Sequence, residues 1–122
     1  MYKLTIETKF SAAHQLREYQ GRCERLHGHN WKVGVTVDAR KLNDIGLAMD
    51  FKDLKDVTNS FLSQVEHAFV NEVPPFDEIN PSSENIAKWL YDGLSVKIND
   101  GNLKVSSITV WESDTASATY CE

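Results

Sequence analysis

The chain has 122 residues, 41% of them hydrophobic and 25% charged, which suits one ordinary globular domain spanning residues 1–122. A formal net charge of -5 at pH 7 excludes broad electrostatic binding to nucleic acid, which needs a basic face. No apolar run approaches the roughly 20 residues that span a bilayer, and the alternating start Met1 to Glu7 is no apolar signal segment, so the expected location is the cytoplasm, with no membrane partner.

Residues 2 to 10 read as a strand, with Tyr2, Leu4, Ile6 and Phe10 on one face and Lys3, Thr5, Glu7 and Lys9 on the other. His14 shares the parity of the apolar face. Residues 15 to 26 are polar and arginine-rich and read as a loop. Residues 27 to 39 alternate again: Trp31, Val33, Val35 and Val37 share a face, and His27 and His29 share their parity. The two strands are expected to pair antiparallel, both turning their histidines toward the apolar side.

Asp50 reads as a helix N-cap, followed at helical spacing by Phe51, Leu54, Val57, Phe61, Leu62 and Val65, with the end expected near Glu66 and His67. Asn71 to Pro81 is a loop. Ser82 or Ser83 caps a second helix striped by Ile86, Ala87, Leu90, Leu94 and Ile98, and Asn99-Asp100-Gly101 stops it. Residues 103 to 112 read as a strand of broken alternation: Val105 has one parity, Ile108 and Val110 the other, so either a bulge intervenes or both faces are covered. Residues 116 to 121 make a short last strand. The order β-β-α-α-β-β gives an α+β domain whose helices cover one sheet face.

The chemistry concentrates in His14, Cys23, His27 and His29. One buried histidine is ordinarily a satisfied core residue. Two on one strand face and a third on the neighbouring face point to a metal, against the alternative of a purely structural cluster. Three neutral nitrogens suit zinc better than iron or copper. Cys23 has three readings: a fourth ligand closing a structural site, a catalytic thiolate favoured by Arg22, Arg25 and a nearby dication, or an inert loop residue. A disulfide to Cys121 is disfavoured in a reducing compartment. Glu66 and His67 form a candidate base with its orienting partner, although a helix C-terminus favours a histidine in any case. Glu112 is either a solvated strand-end carboxylate or a functional one. Glu84 is explained by the helix dipole alone. Arg17, Arg22 and Arg25 make the first loop locally basic, fit either for a phosphorylated ligand or for solvent.

Phe10-Ser11-Ala12-Ala13-His14 and Cys23-Glu24-Arg25-Leu26-His27-Gly28-His29 resemble the zinc and cysteine motifs of the 6-pyruvoyltetrahydropterin synthase family. Asp50-Phe51 with Leu54, Glu66-His67 with Asn71, Pro81-Ser82-Ser83-Glu84-Asn85 and Trp111-Glu112-Ser113 resemble its later blocks in order. The resemblance covers essentially the whole chain. It implies a tunnelling fold whose subunits join their sheets into a barrel around a trimer, with two trimers stacked into a homohexamer and active sites between subunits. It also implies that His14, His27 and His29 bind zinc and that Cys23 is the catalytic thiol. His67, with Glu66, would come from a neighbouring subunit, and Glu112 would anchor the pterin. Arg25 is the first choice for the triphosphate. Glu66 stands where the family usually has aspartate, and Ser113 where it usually has threonine. The short cysteine-to-histidine spacing favours the bacterial branch that includes 6-carboxytetrahydropterin synthase of queuosine biosynthesis.

The expected function is therefore a zinc-dependent lyase turning 7,8-dihydroneopterin triphosphate into 6-carboxy-5,6,7,8-tetrahydropterin, acetaldehyde and triphosphate. Two alternatives remain: a 6-pyruvoyltetrahydropterin synthase, which eliminates triphosphate without cleaving the side chain, and a non-catalytic zinc- or pterin-binding scaffold.

Overall fold

The computed structural model describes residues 1–21 and 24–122. They form β1 (Tyr2–His14), β2 (His27–Ala39), α1 (Phe51–Leu62), a 3-10 turn (Val70–Glu72), α2 (Ser83–Ile98), β3 (Leu103–Ser113) and β4 (Ala116–Cys121). The strands make one antiparallel sheet in the order β1-β2-β3-β4. The expected α+β order is observed. No helix of the described residues is long and apolar enough to cross a membrane.

The alternation of β1 and β2 sets the whole molecule. Ile6, Phe10, Ala12 and His14 from β1 and Trp31, Val33, Val35, Val37 and Ala39 from β2 are buried on one face, against the helices. The opposite face is polar: Thr5 meets Thr36, Ser11 meets Asn30, and Thr109 meets Thr119 through their side-chain oxygens. Pairing runs without a slip from Tyr2 opposite Ala39 to His14 opposite His27, so β1 continues four residues past the expected end and carries His14 to the side of β2.

α1 starts as expected, with the Asp50 carboxylate accepting the Lys52 N–H at 2.8 Å. Leu54 and Leu62 are buried, whereas Phe51, expected on the same stripe, is exposed. The helix ends at Leu62 rather than near Glu66. The chain leaves it to run along the free edge of β1: the His67 N–H donates to the Ser11 carbonyl at 2.7 Å, and the Ala13 N–H to the Ala68 carbonyl at 3.0 Å. Edge pairing satisfies backbone groups that further helical turns would have left on β1.

Ser82 is the cap of α2, its hydroxyl accepting the Asn85 N–H at 3.2 Å, and the expected stripe from Ile86 to Ile98 is buried. Gly93 lets the helices close: a Cβ there would overlap the Phe61 ring. The broken alternation of β3 is a bulge. Thr36 opposes Ser107 and Val37 opposes Val105, so Ser106 is the extra residue and the core parity changes across it.

Candidate metal centre and its surroundings

The regular end of the β1–β2 pair delivers three imidazoles to one place. Together with the Glu112 carboxylate, ligand atoms of His14, His27 and His29 all lie within 4.8 Å of one another. Trp31 forms the floor, its indole N–H bonded to the Ala12 carbonyl at 3.3 Å and its ring edge-on to His14 and His29. His14 is 1% exposed. Burial, offset in part by the Pro81 carbonyl, holds its imidazole below the usual value of 6.5 and so favours the neutral form.

The backbone fixes which nitrogens face inward. A carbonyl can only accept, so the Nδ1–H of His14 donates to the Pro81 carbonyl at 2.8 Å, and the Nδ1–H of His27 donates to the Arg25 carbonyl at 2.8 Å. In the neutral rings both Nε2 atoms then carry lone pairs, and they stand 3.0 Å apart. Two acceptors that close repel unless a cation lies between them. The third nitrogen, His29 Nε2, is buried with no hydrogen-bond partner among the described residues. Glu112 Oε1 is 2.9 Å away, but the pair is not aligned as a hydrogen bond. Carbonyl-oriented imidazoles with converging free nitrogens are what a metal requires, and three nitrogens with one oxygen suit zinc.

Glu112 reaches this cluster because β3 bulges beneath it. Trp111 opposes Ser117 and Ser113 opposes Ala116, which leaves Glu112 as the extra residue. Its other oxygen accepts from the Ser83 hydroxyl at 3.4 Å, in the first turn of α2. A carboxylate expected to meet substrate thus stands within ligand reach of the histidines.

Glu66 and His67 stand elsewhere. His67 is at φ +56, in the left-handed region, with its side chain 80% exposed. Glu66 Oε1 lies 3.2 Å from its Nε2 and also accepts the Ser11 N–H at 3.2 Å. The acid therefore touches its histidine despite the extra methylene. His67 borders a groove of about 430 Å³ with Ser11, Gly28, His29 and Asn30. It is not among the residues whose ligand atoms converge, which are His14, His27, His29 and Glu112.

Of the basic residues in the first loop, Arg17 has another task. Its guanidinium donates to the carbonyls of Ile79, Asn71 and Phe76. Two asparagines complete the clamp: Asn71 bonds both the N–H and the carbonyl of Gln15, and Asn80 does the same for Arg17. Sequence reasoning missed this brace, since asparagines in a proline-containing loop look like ordinary turn residues. The Pro81 and Arg25 carbonyls were equally invisible, because backbone acceptors leave no trace in residue type. Arg25 is exposed. Glu84 is exposed in the first turn of α2, as its helix-dipole reading implies. Arg22 and Cys23 lie outside the described residues, and Cys121 is exposed on β4.

Comparisons with known proteins agree on one family. Residues 3–122 match the family described as 6-pyruvoyl tetrahydropterin synthase. An Archaeoglobus fulgidus protein provisionally named 6-carboxy-5,6,7,8-tetrahydropterin synthase is 35% identical, over 89% of this chain and 86% of its own. The Synechocystis protein named 6-carboxy-5,6,7,8-tetrahydropterin synthase is 32% identical, over 98% of this chain and 93% of its own. A Pyrococcus furiosus relative with a different name, dihydroneopterin monophosphate aldolase, is 28% identical over 90% of this chain and 89% of its own. The solved structure of Caenorhabditis elegans 6-pyruvoyl tetrahydropterin synthase superposes with a TM-score of 0.78 at 22% identity, covering 100% of this chain and 97% of that one. That likeness supports the tunnelling fold. The chain belongs to the 6-pyruvoyl tetrahydropterin synthase family.

Proposed function

We propose that this chain is a zinc-dependent lyase that converts 7,8-dihydroneopterin triphosphate to 6-carboxy-5,6,7,8-tetrahydropterin, acetaldehyde and triphosphate. It would act in the cytoplasm, in queuosine (7-deazaguanine) biosynthesis. The observation that carries the metal part is the 3.0 Å approach of two histidine nitrogens whose Nδ1–H groups are both already donated to carbonyls. The relatives named 6-carboxy-5,6,7,8-tetrahydropterin synthase support the choice of product.

His14, His27 and His29 would hold zinc, which supplies Lewis acidity toward the oxygens of the substrate side chain. Cys23, four residues before His27 in the sequence, moves protons at the side-chain carbons. His67 serves the opposite face of the substrate, oriented by Glu66, whose carboxylate is 3.2 Å away. The strained backbone of His67 and its exposure support a role outside its own fold. The Glu112 carboxylate anchors the paired N–H groups of the pterin. Arg25 receives the triphosphate. His67 would serve the site of a neighbouring subunit, as in the homohexamer of two trimers that the family resemblance implies.

Incubation with 7,8-dihydroneopterin triphosphate tests the reading. Acetaldehyde released in step with tetrahydropterin formation is the expected result. A 6-pyruvoyl product without acetaldehyde would assign the chain to the other synthase. The scaffold alternative predicts that Cys23→Ala loses zinc and fold together, whereas the enzyme keeps zinc and loses turnover.

The name of the Pyrococcus furiosus relative supports a second reading, a dihydroneopterin monophosphate aldolase, in which we infer that Glu24 rather than Cys23 would move the proton. Glu24 Oε1 lies 3.7 Å from His27 Nδ1. The same oxygen, however, accepts the Leu16 N–H at 3.3 Å, and the Glu24 N–H closes the loop on the Leu16 carbonyl at 2.7 Å, which gives the residue a structural task. Consumption of dihydroneopterin monophosphate by Cys23→Ala but not by Glu24→Gln would favour the aldolase.

A further inference from the structure

We propose that Glu112 is a conditional metal ligand: it closes the three-histidine site while no pterin is bound and leaves the metal when the pterin arrives. The inference rests on the reading of the three histidines as a metal site.

Three independent features carry it. The first is position. Glu112 Oε1 lies 2.9 Å from His29 Nε2, 3.8 Å from His27 Nε2 and 3.9 Å from His14 Nε2, so one oxygen faces all three inward nitrogens. The second is direction. At 2.9 Å the oxygen is close enough to His29 for a hydrogen bond, yet the two are not aligned as one. Oxygen and nitrogen are arranged around a shared point rather than along an N–H bond, as two ligands of one ion are. The third is backbone construction. Glu112 is the extra residue of a bulge, a device that re-aims a side chain at the cost of a ladder hydrogen bond.

The same residue is built to let go. Its side chain is 38% exposed, against 2% for that of His14, so a ligand can reach it without opening the core. Among the described residues its second oxygen is held only by the long 3.4 Å contact from Ser83, at the N-terminal turn of α2, where the helix dipole favours a carboxylate that has left the metal. The two partners also compete. Paired N–H donors on a pterin edge need both oxygens in one plane, and a carboxylate so engaged no longer presents Oε1 to the imidazoles. Metal and pterin are then coupled through Glu112, and by linkage each weakens the other to the same degree when the pterin lacks a side chain to replace the lost ligand.

The test uses the full-length protein in its native assembly, loaded with Co2+, and pterin itself, 2-amino-4-oxopteridine without a side chain, as the probe. Saturation is followed by quenching of pterin fluorescence. Saturating pterin is expected to shift the visible Co2+ bands and to lower Co2+ affinity severalfold. Glu112→Gln is expected to bind Co2+ at least about tenfold more weakly than the parent, in the range found when groups supporting a metal site are removed. Its bands should no longer respond to pterin. Unchanged Co2+ bands and affinity in a parent protein saturated with pterin would overturn the proposal. So would a Glu112→Gln protein with parental affinity and spectrum. If the Gln variant misfolds by circular dichroism, the pterin titration of the parent decides alone. His29→Ala keeps the two claims apart: unaltered Co2+ binding in that variant would remove the three-histidine reading itself, whereas loss of binding there with no effect at Glu112 would remove only this proposal.

Discussion

Two histidines of this chain, His14 and His67, live under opposite conditions. His14 is 1% exposed at the end of a regular strand, its Nδ1–H bonded to the Pro81 carbonyl and its ring edge-on to Trp31. His67 projects from an irregular turn at φ +56, its side chain 80% exposed and touched by Glu66. The buried residue belongs to a centre that one chain assembles by itself. The exposed one is contacted by Glu66 and, among the described residues, lies outside the ligand cluster. A strand pair can gather a candidate metal set by alternation alone, whereas under the proposed function Glu66 and His67 would act on the site of a second subunit.

Loss of metal should have the largest effect on this contrast. His29→Ala should leave the sheet folded, remove stoichiometric zinc after dialysis and lower turnover by roughly 1,000-fold or more, since Lewis-acid stabilisation amounts to several kcal/mol. Metal analysis with steady-state assays checks it. Next comes the exposed half: His67→Ala should lower kcat by roughly 100- to 10,000-fold with zinc content unchanged. Its thermal midpoint should move little, because an exposed side chain contributes within about 0.5 kcal/mol. A parallel loss of zinc would join the two regions and erase the comparison.

Arg17→Ala sharpens the boundary between site and scaffold. Its guanidinium serves three carbonyls of the 71–79 segment, so the variant should lose about 1–3 kcal/mol in urea unfolding rather than lose triphosphate selectively. Arg25→Ala should do the reverse, raising KM with stability unchanged. The smallest effect concerns pH. Burial holds His14 below 6.5, so the unfolded chain takes up its proton first as pH falls. Metal-free protein should therefore lose stability as pH drops from about 6.5 through the lowered folded value and then level off. Urea midpoints at pH 7.5 and 5.5 check the sign.

The gathering of the three histidines was legible in the sequence because strand parity is a strict rule: His14, His27 and His29 share parity with Phe10 and Trp31, and the structure buries that face. The bulge in β3 was legible as broken alternation, although its position at Ser106 was not. The end of α1 was misread because Val65 continues the apolar spacing. Val65 is indeed buried, but in a turn, since the free edge of β1 captures His67 and Ala68. Periodicity reports burial and cannot see a competing edge. The tilt of Glu112 toward the histidines was hidden as well. Its residue type left it either solvated or functional, and a second bulge two residues past Val110 set its reach. The Asn71, Asn80 and Arg17 clamp had no signal, because its partners are backbone atoms distant in sequence.

The most direct measurement mixes two crippled enzymes. His29→Ala and His67→Ala each carry one lesion, and each alone should keep about 1% or less of the parental turnover. If a metal centre from one chain meets His67 from another, random mixed assemblies regain intact sites, roughly a quarter of the total for equal amounts in a closed homo-oligomer. The account predicts that recovery, with zinc bound only by the subunits that keep His29. Mixed assemblies that form and bind zinc but show no activity above the separate variants would contradict it.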